Sequence, residues 1–319
     1  MVMRGATIGA MFGDAGAGTF LGLPGWDGAP GPRAVVIGAD TATPYASVGP
    51  YCAGGAAAIR AGSAGHAAVR GHWSFDLGGV AVPEGAAADA GDVAVGPDPA
   101  ANRAAIGAAV ERVLAAGAVP VLLGGDDSVA IPFIAAFHGH GAAHGVGVVQ
   151  LDAHADWRDE IGGERMGLSS VMRRASEMRH VGAMVQVGQR GIGSARAAEA
   201  EAMAARGVTL VTAGELARAG VGRALEAVVP GVPVVVVLDW DVIDPAVMPA
   251  VIARTAGGLG YWHAVDLIAG VAARAPIAGV ALTEFMPDRD LDGQGAAFAA
   301  SLVTTVIGLI VRQGRAVGG

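Results

Sequence analysis

Short apolar runs of strand length alternate with helix-like segments through most of the 319-residue chain. The runs are apolar at nearly every position, which is typical of strands that are buried on both faces of a parallel sheet. The predicted strands are Ala34–Gly38, Val119–Leu123, Val146–Leu151, Met184–Val187, Val208–Val211, Val232–Leu238 and Gly279–Leu282.

Helical patterns fill many of the intervals between these strands. The predicted helices are Ala101–Ala116, Ser128–Phe137, Ser194–Ala205, Ala213–Ala227 and His263–Ala273. The uncharged apolar run Ala296–Val311 is shorter than the ~20 residues that a membrane span needs, so we expect a buried helix there. The alternation predicts a single α/β domain over residues 34–319, after an irregular Gly- and Pro-rich segment over residues 1–33. Residues 71–98 are expected to form a long surface excursion.

Composition narrows the class of protein. Hydrophobic residues make up 53% of the chain and charged residues 16%, which supplies a large core and excludes wholesale disorder. The net charge is −8, and no Lys/Arg cluster with interleaved aromatic residues indicates nucleic-acid binding. The lone Cys52 cannot form an internal disulfide and is expected to be a small buried apolar residue. Because the N-terminus is also a poor signal peptide, we expect a cytoplasmic protein that binds neither nucleic acid nor membrane.

Polar residues directly after a strand are informative, because ligands of parallel α/β sheets bind beyond the carboxyl ends of the strands. Val146–Leu151 is followed by Asp152-Ala-His154-Ala-Asp156. The two-residue spacing places the three polar side chains on one face of an extended segment. A polar loop with a structural histidine is the alternative interpretation. This alternative would leave the Asp152 carboxylate among apolar neighbours without a partner. Buried carboxylates normally pair with a cation or bind a metal, so a metal site is favoured.

A second acidic pair follows the strand Val232–Leu238. Asp239 and Asp241 share one face of the chain, and a structural role hardly explains two such acids at a strand exit. Two acidic clusters at one edge of a sheet would repel each other unless cations lay between them. Asp244, which precedes a proline, is expected to end the segment as a turn.

Two more strand ends carry acids that have simpler explanations as well. Val119–Leu123 is followed by Gly-Gly and then Asp126, Asp127 and Ser128, which are residue types that commonly cap the first turn of a helix. Glu284 follows the last predicted strand, where either a salt bridge or a contact with a substrate would explain it.

Taken together, these strand ends predict a metal site at one edge of the sheet. The candidate ligands are Asp127, Asp152, His154, Asp156, Asp239 and Asp241. Five carboxylates and one imidazole suit hard or borderline divalent ions, so Mn²⁺ or Ni²⁺ fits better than thiolate-preferring Zn²⁺. Two such ions could share a water molecule and activate it at neutral pH. With two ions bound, the site would be near-neutral to anionic, which favours a cationic substrate.

The chain resembles the ureohydrolase family, which includes arginases and agmatinases. Gly124-Gly-Asp-Asp-Ser128 resembles the GGDHS motif of that family, and Asp152-Ala-His-Ala-Asp156 matches its DAHxD motif. Leu238–Pro245 matches its SxDxDxxDP motif, apart from Val237 in place of the serine. The resemblance covers most of the chain and is closest to agmatinase-like members. It implies a three-layer α/β/α sandwich with a central, mostly parallel sheet, usually assembled as homo-trimers or hexamers.

The resemblance also implies an activity and a role for each candidate residue. The activity is the hydrolysis of a guanidino compound to urea, or a urea-like product, and an amine, with two divalent ions per chain. Asp156 would orient the attacking water, and Glu284 would pair with the guanidinium of the substrate. By the same resemblance, Asp152 and Asp239 bridge both ions, Asp127 and Asp156 complete one ion site, and His154 and Asp241 complete the other.

The sequence departs from the family pattern at two positions. Asp127 stands where GGDHS has its metal-binding histidine; a carboxylate can still bind a metal but adds negative charge. Leu168 lies near the expected position of a second histidine, which in the family is thought to shuttle protons or contact the substrate. Ser169, Ser170 and Glu164 are the candidates to replace that histidine.

Three hypotheses follow. The favoured one is a binuclear metal-dependent amidinohydrolase that acts on a small cationic guanidine or biguanide. The second, motivated by Asp127 and Leu168, is a non-catalytic or regulatory subunit of a hetero-oligomeric ureohydrolase, such as a biguanide (metformin) hydrolase assembled with a paralogue. The third, a deacetylase-like amidase with one Zn²⁺, is disfavoured because the sequence has no His-His pair.

Overall fold

The structure is a computed structural model that describes residues 18–139 and 145–313. Within these residues, the centre of the molecule is an eight-stranded parallel sheet with the strand order β4-β1-β5-β10-β9-β6-β7-β8. Strands β2 (Trp73–Ser74) and β3 (Gly79–Val80) form a separate short hairpin. The sheet strands are β1 (Ala34–Ala39), β4 (Ala87–Asp92), β5 (Val119–Gly124), β6 (Val146–Leu151), β7 (Val181–Val187), β8 (Thr209–Val211), β9 (Val234–Asp239) and β10 (Ile277–Thr283).

Helices connect the strands and cover both faces of the sheet. The α-helices are α1 (Gly55–Ser63), α2 (Pro99–Ala115), α3 (Ala130–Ala135), α4 (Val171–Glu177), α5 (Ala197–Ala205), α6 (Ala213–Ala219), α7 (Gly222–Glu226), α8 (Tyr261–Arg274) and α9 (Gln294–Arg312). Short 3₁₀ turns span Phe20–Gly22, Ala64–Val69, Asp127–Val129, Leu168–Ser170, Trp240–Val242 and Pro287–Arg289.

The layers follow from the alternation of side chains along each strand. In β9, Val236 packs in the core that contains α8 and α9, whereas its neighbour Val235 packs in the core that contains α2 and α3. Because both faces are covered by helices, every side chain of β9 is buried. The predicted three-layer α/β/α sandwich is therefore confirmed.

The predicted strands are all present, with small differences at their ends. β9 begins at Val234 because Pro233 cannot donate a ladder hydrogen bond, and β7 begins earlier than predicted, at Val181. The predicted surface excursion over residues 71–98 is wrong for Ala87–Asp92, which forms β4 at the edge of the sheet. Its sequence, Ala-Ala-Asp-Ala-Gly-Asp, lacks the apolar run by which the inner strands were predicted.

Most predicted helices are present with ends shifted by three residues at most. The predicted helix Ala213–Ala227 is wrong as a single element. Gly220, with φ 73°, ends α6 in a conformation that other residues rarely adopt, and α7 starts two residues later. Helices α1 and α4 were not predicted.

The C-terminal helix α9 is buried, as predicted. It is long and apolar enough to cross a membrane, but 61% of its most apolar window is buried inside the molecule, as in the core helix of a globular domain. Gly62 of α1 lies directly against the backbone of Ala296, so the two helices pack closely where α9 begins.

Residues 24–26 pair with the edge of the sheet. The Asp89 amide donates to the carbonyl of Pro24 (3.0 Å), and the Trp26 amide donates to the carbonyl of Asp89 (2.8 Å). The buried Asp89 carboxylate in turn accepts two hydrogen bonds from Arg60 (2.8 and 3.0 Å). The irregular segment predicted for residues 1–33 is thus tied to β4 in its later part, while residues 1–17 lie outside the described residues.

Gly125 joins three strand ends at the carboxyl edge of the sheet. Its amide donates to the carbonyl of Ala39 at the end of β1 (2.6 Å), and its carbonyl accepts from the amide of Glu284 beyond β10 (2.7 Å). A Cβ atom at this position would lie 1.5 Å from the carbonyl oxygen of Asp40. The close approach of backbone, and not a left-handed turn, therefore requires glycine here.

We expect Gly125→Ala to lower the free energy of unfolding by about 1–3 kcal/mol, because the new methyl group must push backbone apart. Gly107→Ala is the matched control, since Gly107 lies within α2 with open space around its Cβ position, and it should stabilise the protein by up to about 1 kcal/mol. Chemical denaturation followed by circular dichroism measures both. Equal unfolding midpoints for Gly125→Ala and the wild type would contradict the packing described here.

Candidate metal centre

The predicted ligands meet at the carboxyl edge of the sheet, where β5, β6, β9 and β10 end side by side. Each ligand follows its strand closely, so the parallel register brings together residues that are far apart in sequence. The acids are 8% exposed or less, and His154 is partly buried. The site contains Asp127, Asp152, His154, Asp156, Asp239, Asp241 and Glu284.

Two overlapping groups of ligand atoms lie at this edge among the described residues. One group consists of Asp152, His154 and Asp241, and the other of Asp127, Asp152 and Asp239; within each group the ligand atoms lie within 4.8 Å of one another. Asp152 belongs to both groups, so its carboxylate would contribute to holding an ion in either of them. The Asp156 carboxyl interacts with those of Asp127 and Asp152 and so lies against the shared part of the cluster.

Two residues of the site have a backbone conformation that favours glycine. Asp156 has φ 53° and Glu284 has φ 70°. Such conformations persist where surrounding interactions hold them, and they concentrate at functional sites. The amides of Met172 and Arg173, at the start of α4, both donate to the carbonyl of Asp156 (3.1 Å each). The Gly125 carbonyl holds the Glu284 amide in the same way.

A chain of buried amides positions the ligands that follow β6. Gln150 donates from Nε2 to Asp152 (2.6 Å) and to Asp156 (3.1 Å), and its own carbonyl accepts a hydrogen bond from Gln186 on the neighbouring strand β7. Trp157 donates to Gln186 (2.7 Å). Neither glutamine was predicted as part of the site. Each is a single polar residue near the end of an apolar strand, and that pattern could have indicated a buried polar role.

Asp127 is oriented into the cluster by its neighbours. The Thr283 hydroxyl donates to its Oδ1, whereas no backbone amide or hydroxyl in the described residues donates to its buried Oδ2, and the acidic Asp156 carboxyl lies against it. A buried acid beside another acid must hold a proton or face a cation. Asp127 therefore occupies a position that fits a metal ligand, whereas the capping role belongs to Asp126, which accepts from the Ser128 amide (3.0 Å).

The electrostatics of the cluster require added positive charge. Burial, followed by repulsion from neighbouring acids, raises the pKa of Asp152, Asp156 and Asp239 well above the usual range. Burial lowers the pKa of His154, but its hydrogen bond to Asp241 (2.8 Å) and the charge of Asp241 outweigh this effect and raise it to about 9. No Lys or Arg in the described part of the chain forms a salt bridge with these acids.

Divalent ions would supply that charge. The donor set consists of carboxylate oxygens with one imidazole, which suits hard or borderline divalent metals. Metal binding would also displace the protons that the acids otherwise hold, since metal ligands must be deprotonated. The buried carboxylate of Asp127, the shared Asp152 and the absence of a Lys or Arg salt bridge to these acids in the described residues all agree with a metal site.

Glu284 is held by a residue that the sequence analysis did not single out. The Tyr51 hydroxyl lies 2.6 and 2.7 Å from the two Glu284 oxygens, and the Asp127 amide donates to Oε1 (2.8 Å). Burial raises the pKa of Glu284 well above its usual range, and the charge of Asp127 raises it further. Cys52, next to Tyr51, is fully buried, as expected for a core residue.

A cavity of about 260 Å³ opens above the cluster. Leu168 lies on its wall where the family pattern has a histidine, with Ser169 beside it. Of the other candidates to replace that histidine, Ser170 is buried and Glu164 accepts from the Met166 amide (2.6 Å). The lining residues are Asp127, His154, Asp156, Arg158, Ile161, Leu168, Ser169, Gly193, Ser194, Asp239, Asp241, Ile252, Ala253 and Glu284.

Two further histidines of the described residues have partners outside the cluster. His138 is exposed, and its Nδ1 is 3.9 Å from Glu111. His263 accepts a hydrogen bond from the Gly260 amide at the start of α8 (3.1 Å), which is a structural role. His140 lies outside the described residues.

Comparison with known proteins places the chain among relatives of defined activity. The model of the arginase family matches residues 32–308. The guanidinobutyrase of Pseudomonas aeruginosa is 32% identical over 199 residues, which are 60% of this chain and 61% of that protein. The chain thus matches about three fifths of the length of that relative. The agmatinase of Pyrococcus horikoshii is 31% identical over 230 residues, which cover 70% of this chain and 75% of the agmatinase.

Solved structures share the whole architecture. The proclavaminate amidino hydrolase of Streptomyces clavuligerus superposes with a TM-score of 0.81 at 28% identity, covering 94% of this chain and 99% of that one. The arginase of Bacillus caldovelox superposes with a TM-score of 0.69 at 22% identity, covering 87% and 98%, and shows the fold alone. The resemblance to ureohydrolases of the agmatinase-like branch is confirmed, and the chain belongs to the arginase family.

Proposed function

We propose that this protein is a binuclear metal-dependent amidinohydrolase that hydrolyses a guanidino compound. Water would add across the bond between the guanidinium carbon and the substituted nitrogen, and the products would be urea, or a urea-like compound, and an amine. The observation that carries this proposal is the cluster of five aspartates and one histidine at the base of a cavity that also contains Glu284. The names of the relatives, guanidinobutyrase and agmatinase, agree with it.

The residues divide naturally between two ions. Two divalent ions, when bound, would lower the pKa of a shared water molecule so that it could attack at neutral pH. The proposed ligands of one ion are Asp127, Asp152, Asp156 and Asp239, and those of the other are Asp152, His154, Asp239 and Asp241.

The other groups of the cavity would bind and orient the substrate. Glu284 Oε2 carries the Tyr51 hydrogen bond and keeps a lone pair for an N–H of the guanidinium. The Asp156 carboxyl lines the cavity on a fixed backbone and is placed to accept a proton from water and deliver it to the departing amine nitrogen. Leu168 and Ile252 cover part of the wall with apolar surface, which excludes bulk water.

The first test measures the metal content of the protein and the release of the amine product. Protein grown with Mn²⁺, and separately with Ni²⁺, should contain about two ions per chain by plasma mass spectrometry, because two ligand groups share Asp152. The metal-loaded protein should release an amine from at least one member of a panel of guanidines and biguanides. Two bound ions with no turnover of any panel member would contradict the proposal.

Substitution of Asp127 separates a metal ligand from a structural acid. Asp127→Ala should lower the metal content towards one ion per chain and reduce turnover at least about a hundredfold, because it removes a ligand of one ion. Asp127→His restores the motif of the family and should keep both ions. Asp126→Asn, a change at the neighbouring cap, is the matched control and should keep both ions too.

The hypothesis of a non-catalytic subunit gains no support from the described residues or from the comparisons. It predicts fewer than two ions in the isolated chain and activity only after mixing with a paralogue. The metal measurement above therefore separates the two hypotheses directly, since an isolated chain with two ions and turnover excludes a dependence on a partner.

Tyr51→Phe should lower kcat/KM by about tenfold to a hundredfold, because a hydrogen bond to a charged group contributes about 1.5–3 kcal/mol. Metal content should stay unchanged, since Tyr51 is not among the proposed ligands. Tyr261→Phe is the matched control: its hydroxyl bonds to Asp76, away from the cluster, and kcat/KM should stay within about twofold of wild type. A Tyr51→Phe variant with wild-type kinetics would show that the contact with Glu284 does not matter for turnover.

We also infer that the chain forms a homo-oligomer, a trimer or hexamer. Large aromatic side chains are exposed on the β2–β3 hairpin and at the start of α8: Phe75 is 93% exposed, Trp73 62% and Trp262 59%. The two elements are adjacent, because the Tyr261 hydroxyl donates to Asp76 of the hairpin (2.7 Å). Exposed apolar patches of this kind mark interaction surfaces.

Light scattering after gel filtration should therefore give the mass of a trimer or hexamer. Phe75→Asp should shift the protein towards smaller species, because it places a charge in the apolar patch. Val229→Asp, at an exposed apolar position between α7 and β9, should leave the mass unchanged. A wild-type protein that is monomeric at micromolar concentration would rule out this assembly.

A further inference from the structure

We infer that the substrate carries a carboxylate at the end opposite its guanidinium, and that Arg158 binds this carboxylate. The inference rests on the proposed amidinohydrolase function and adds the class of substrate, a guanidino acid. It comes from a contrast within the cavity. The base is strongly acidic, whereas the wall carries a guanidinium group that no proposed catalytic role uses.

Arg158 is well placed for such a contact. It follows the proposed ligand Asp156 by two residues and lines the same cavity, with its side chain 19% exposed. Among the described residues that line this cavity, Arg158 is the one Lys or Arg side chain that could bind an anion. Its neighbours on the wall are Gly193 and Ser194.

Hydrogen bonds within the protein hold the side chain of Arg158 in place. Nη1 donates to both oxygens of Glu199 (2.8 and 2.6 Å), and Nη2 donates to the carbonyl of Gly193 (3.0 Å). The backbone amide of Arg158 donates to the carbonyl of Ser169 (3.0 Å). A guanidinium group has five N–H donors, so Nε–H and one N–H of Nη2 remain without a partner in the described part of the chain. Arginine held in this way loses little entropy on binding a carboxylate.

Glu199 balances the charge of Arg158 only in part. Glu199 is shared, because it also accepts hydrogen bonds from Arg196, from Nε (2.9 Å) and from the backbone amide (2.6 Å). Burial raises the pKa of Glu199, but the hydrogen bonds from Arg196 and Arg158 outweigh this and lower it to about 2. One carboxylate between two guanidinium groups leaves a net charge of +1.

The lining of the cavity therefore carries groups of both charges. A guanidinium group would be drawn to Glu284 and the acidic base, and a carboxylate would be drawn to Arg158. A tail that ends in an ammonium group would instead meet the guanidinium of Arg158, with Glu199 already occupied by two arginines. This arrangement selects guanidino acids over diamine-derived guanidines.

Three guanidines with four-carbon tails of different charge test this inference: 4-guanidinobutyrate, butylguanidine and agmatine. The metal-loaded wild type should show a kcat/KM for 4-guanidinobutyrate that is about tenfold to a hundredfold higher than for the neutral and cationic compounds. Arg158→Gln should remove this preference, mainly by raising KM for the acid. Arg158→Lys, which keeps the charge but loses the fork geometry, should keep part of it.

Arg196→Gln is the matched control. It removes the same charge and also a partner of Glu199, but Arg196 does not line the cavity in the described structure. Part of the preference for the acid should survive in this variant, because the free N–H donors of Arg158 remain, whereas Arg158→Gln should remove it. Thermal unfolding of all variants shows whether Arg158→Gln still folds, and Arg158→Lys carries the test if it does not.

The outcomes separate this inference from the proposed function. If butylguanidine or agmatine is hydrolysed as well as the acid, or if the preference survives in Arg158→Gln, the role of Arg158 is overturned while the amidinohydrolase function stands. If no compound is hydrolysed, calorimetric binding of 4-guanidinobutyrate decides. Binding that is lost in Arg158→Gln but kept in Arg196→Gln would support the anion site and overturn the proposed function. Absence of binding would overturn both.

Discussion

The structure depends on one electrostatic constraint, the concentration of carboxylates at a buried edge of the sheet. A parallel sheet brings the carboxyl ends of distant strands together, and here the acids of the cluster come from the ends of β5, β6, β9 and β10. Without cations, the acids must hold protons or repel one another, as the raised pKa of Asp152 and Asp239 shows. The same concentration of negative charge favours the binding of divalent ions. Much of the surrounding architecture serves to hold the acids close together against it.

The means of holding them are local and rigid. The left-handed backbone at Asp156 and Glu284 aims both carboxylates in directions that an extended strand could not reach, and amides from α4 and the Gly125 carbonyl fix that backbone. The paired glutamines Gln150 and Gln186 add hydrogen-bond donors from inside the sheet. The candidate ligands thus rest on strands and on buried amides, which hold the cluster in a fixed geometry.

Sequence patterns predicted the strands and the strand-end acids because both follow from burial. A strand covered on two faces must be apolar throughout, and a polar residue at its end then stands out, as Asp152 does. Tyr51 could not be predicted, since it reaches Glu284 from a loop far away in sequence and only the tertiary fold brings the two together. The role of Arg158 could not be predicted either, because its position on the cavity wall depends on the loop geometry around Gly193. Edge strand β4 was not predicted, because half of its residues are not fully buried and need not be apolar.

The pairing of residues 24–26 with β4 has a consequence for the solution behaviour of the domain. The free side of an edge strand presents unpaired amide and carbonyl groups, which can recruit strands of other molecules and start aggregation. Pro24 and Trp26 occupy those groups of Asp89, so this edge is blocked by the chain itself. Part of the segment that was predicted to be irregular therefore covers backbone groups of the edge strand β4. A fragment trimmed to begin at the first sheet strand would keep every proposed metal ligand and yet expose the backbone groups of Asp89 to other molecules.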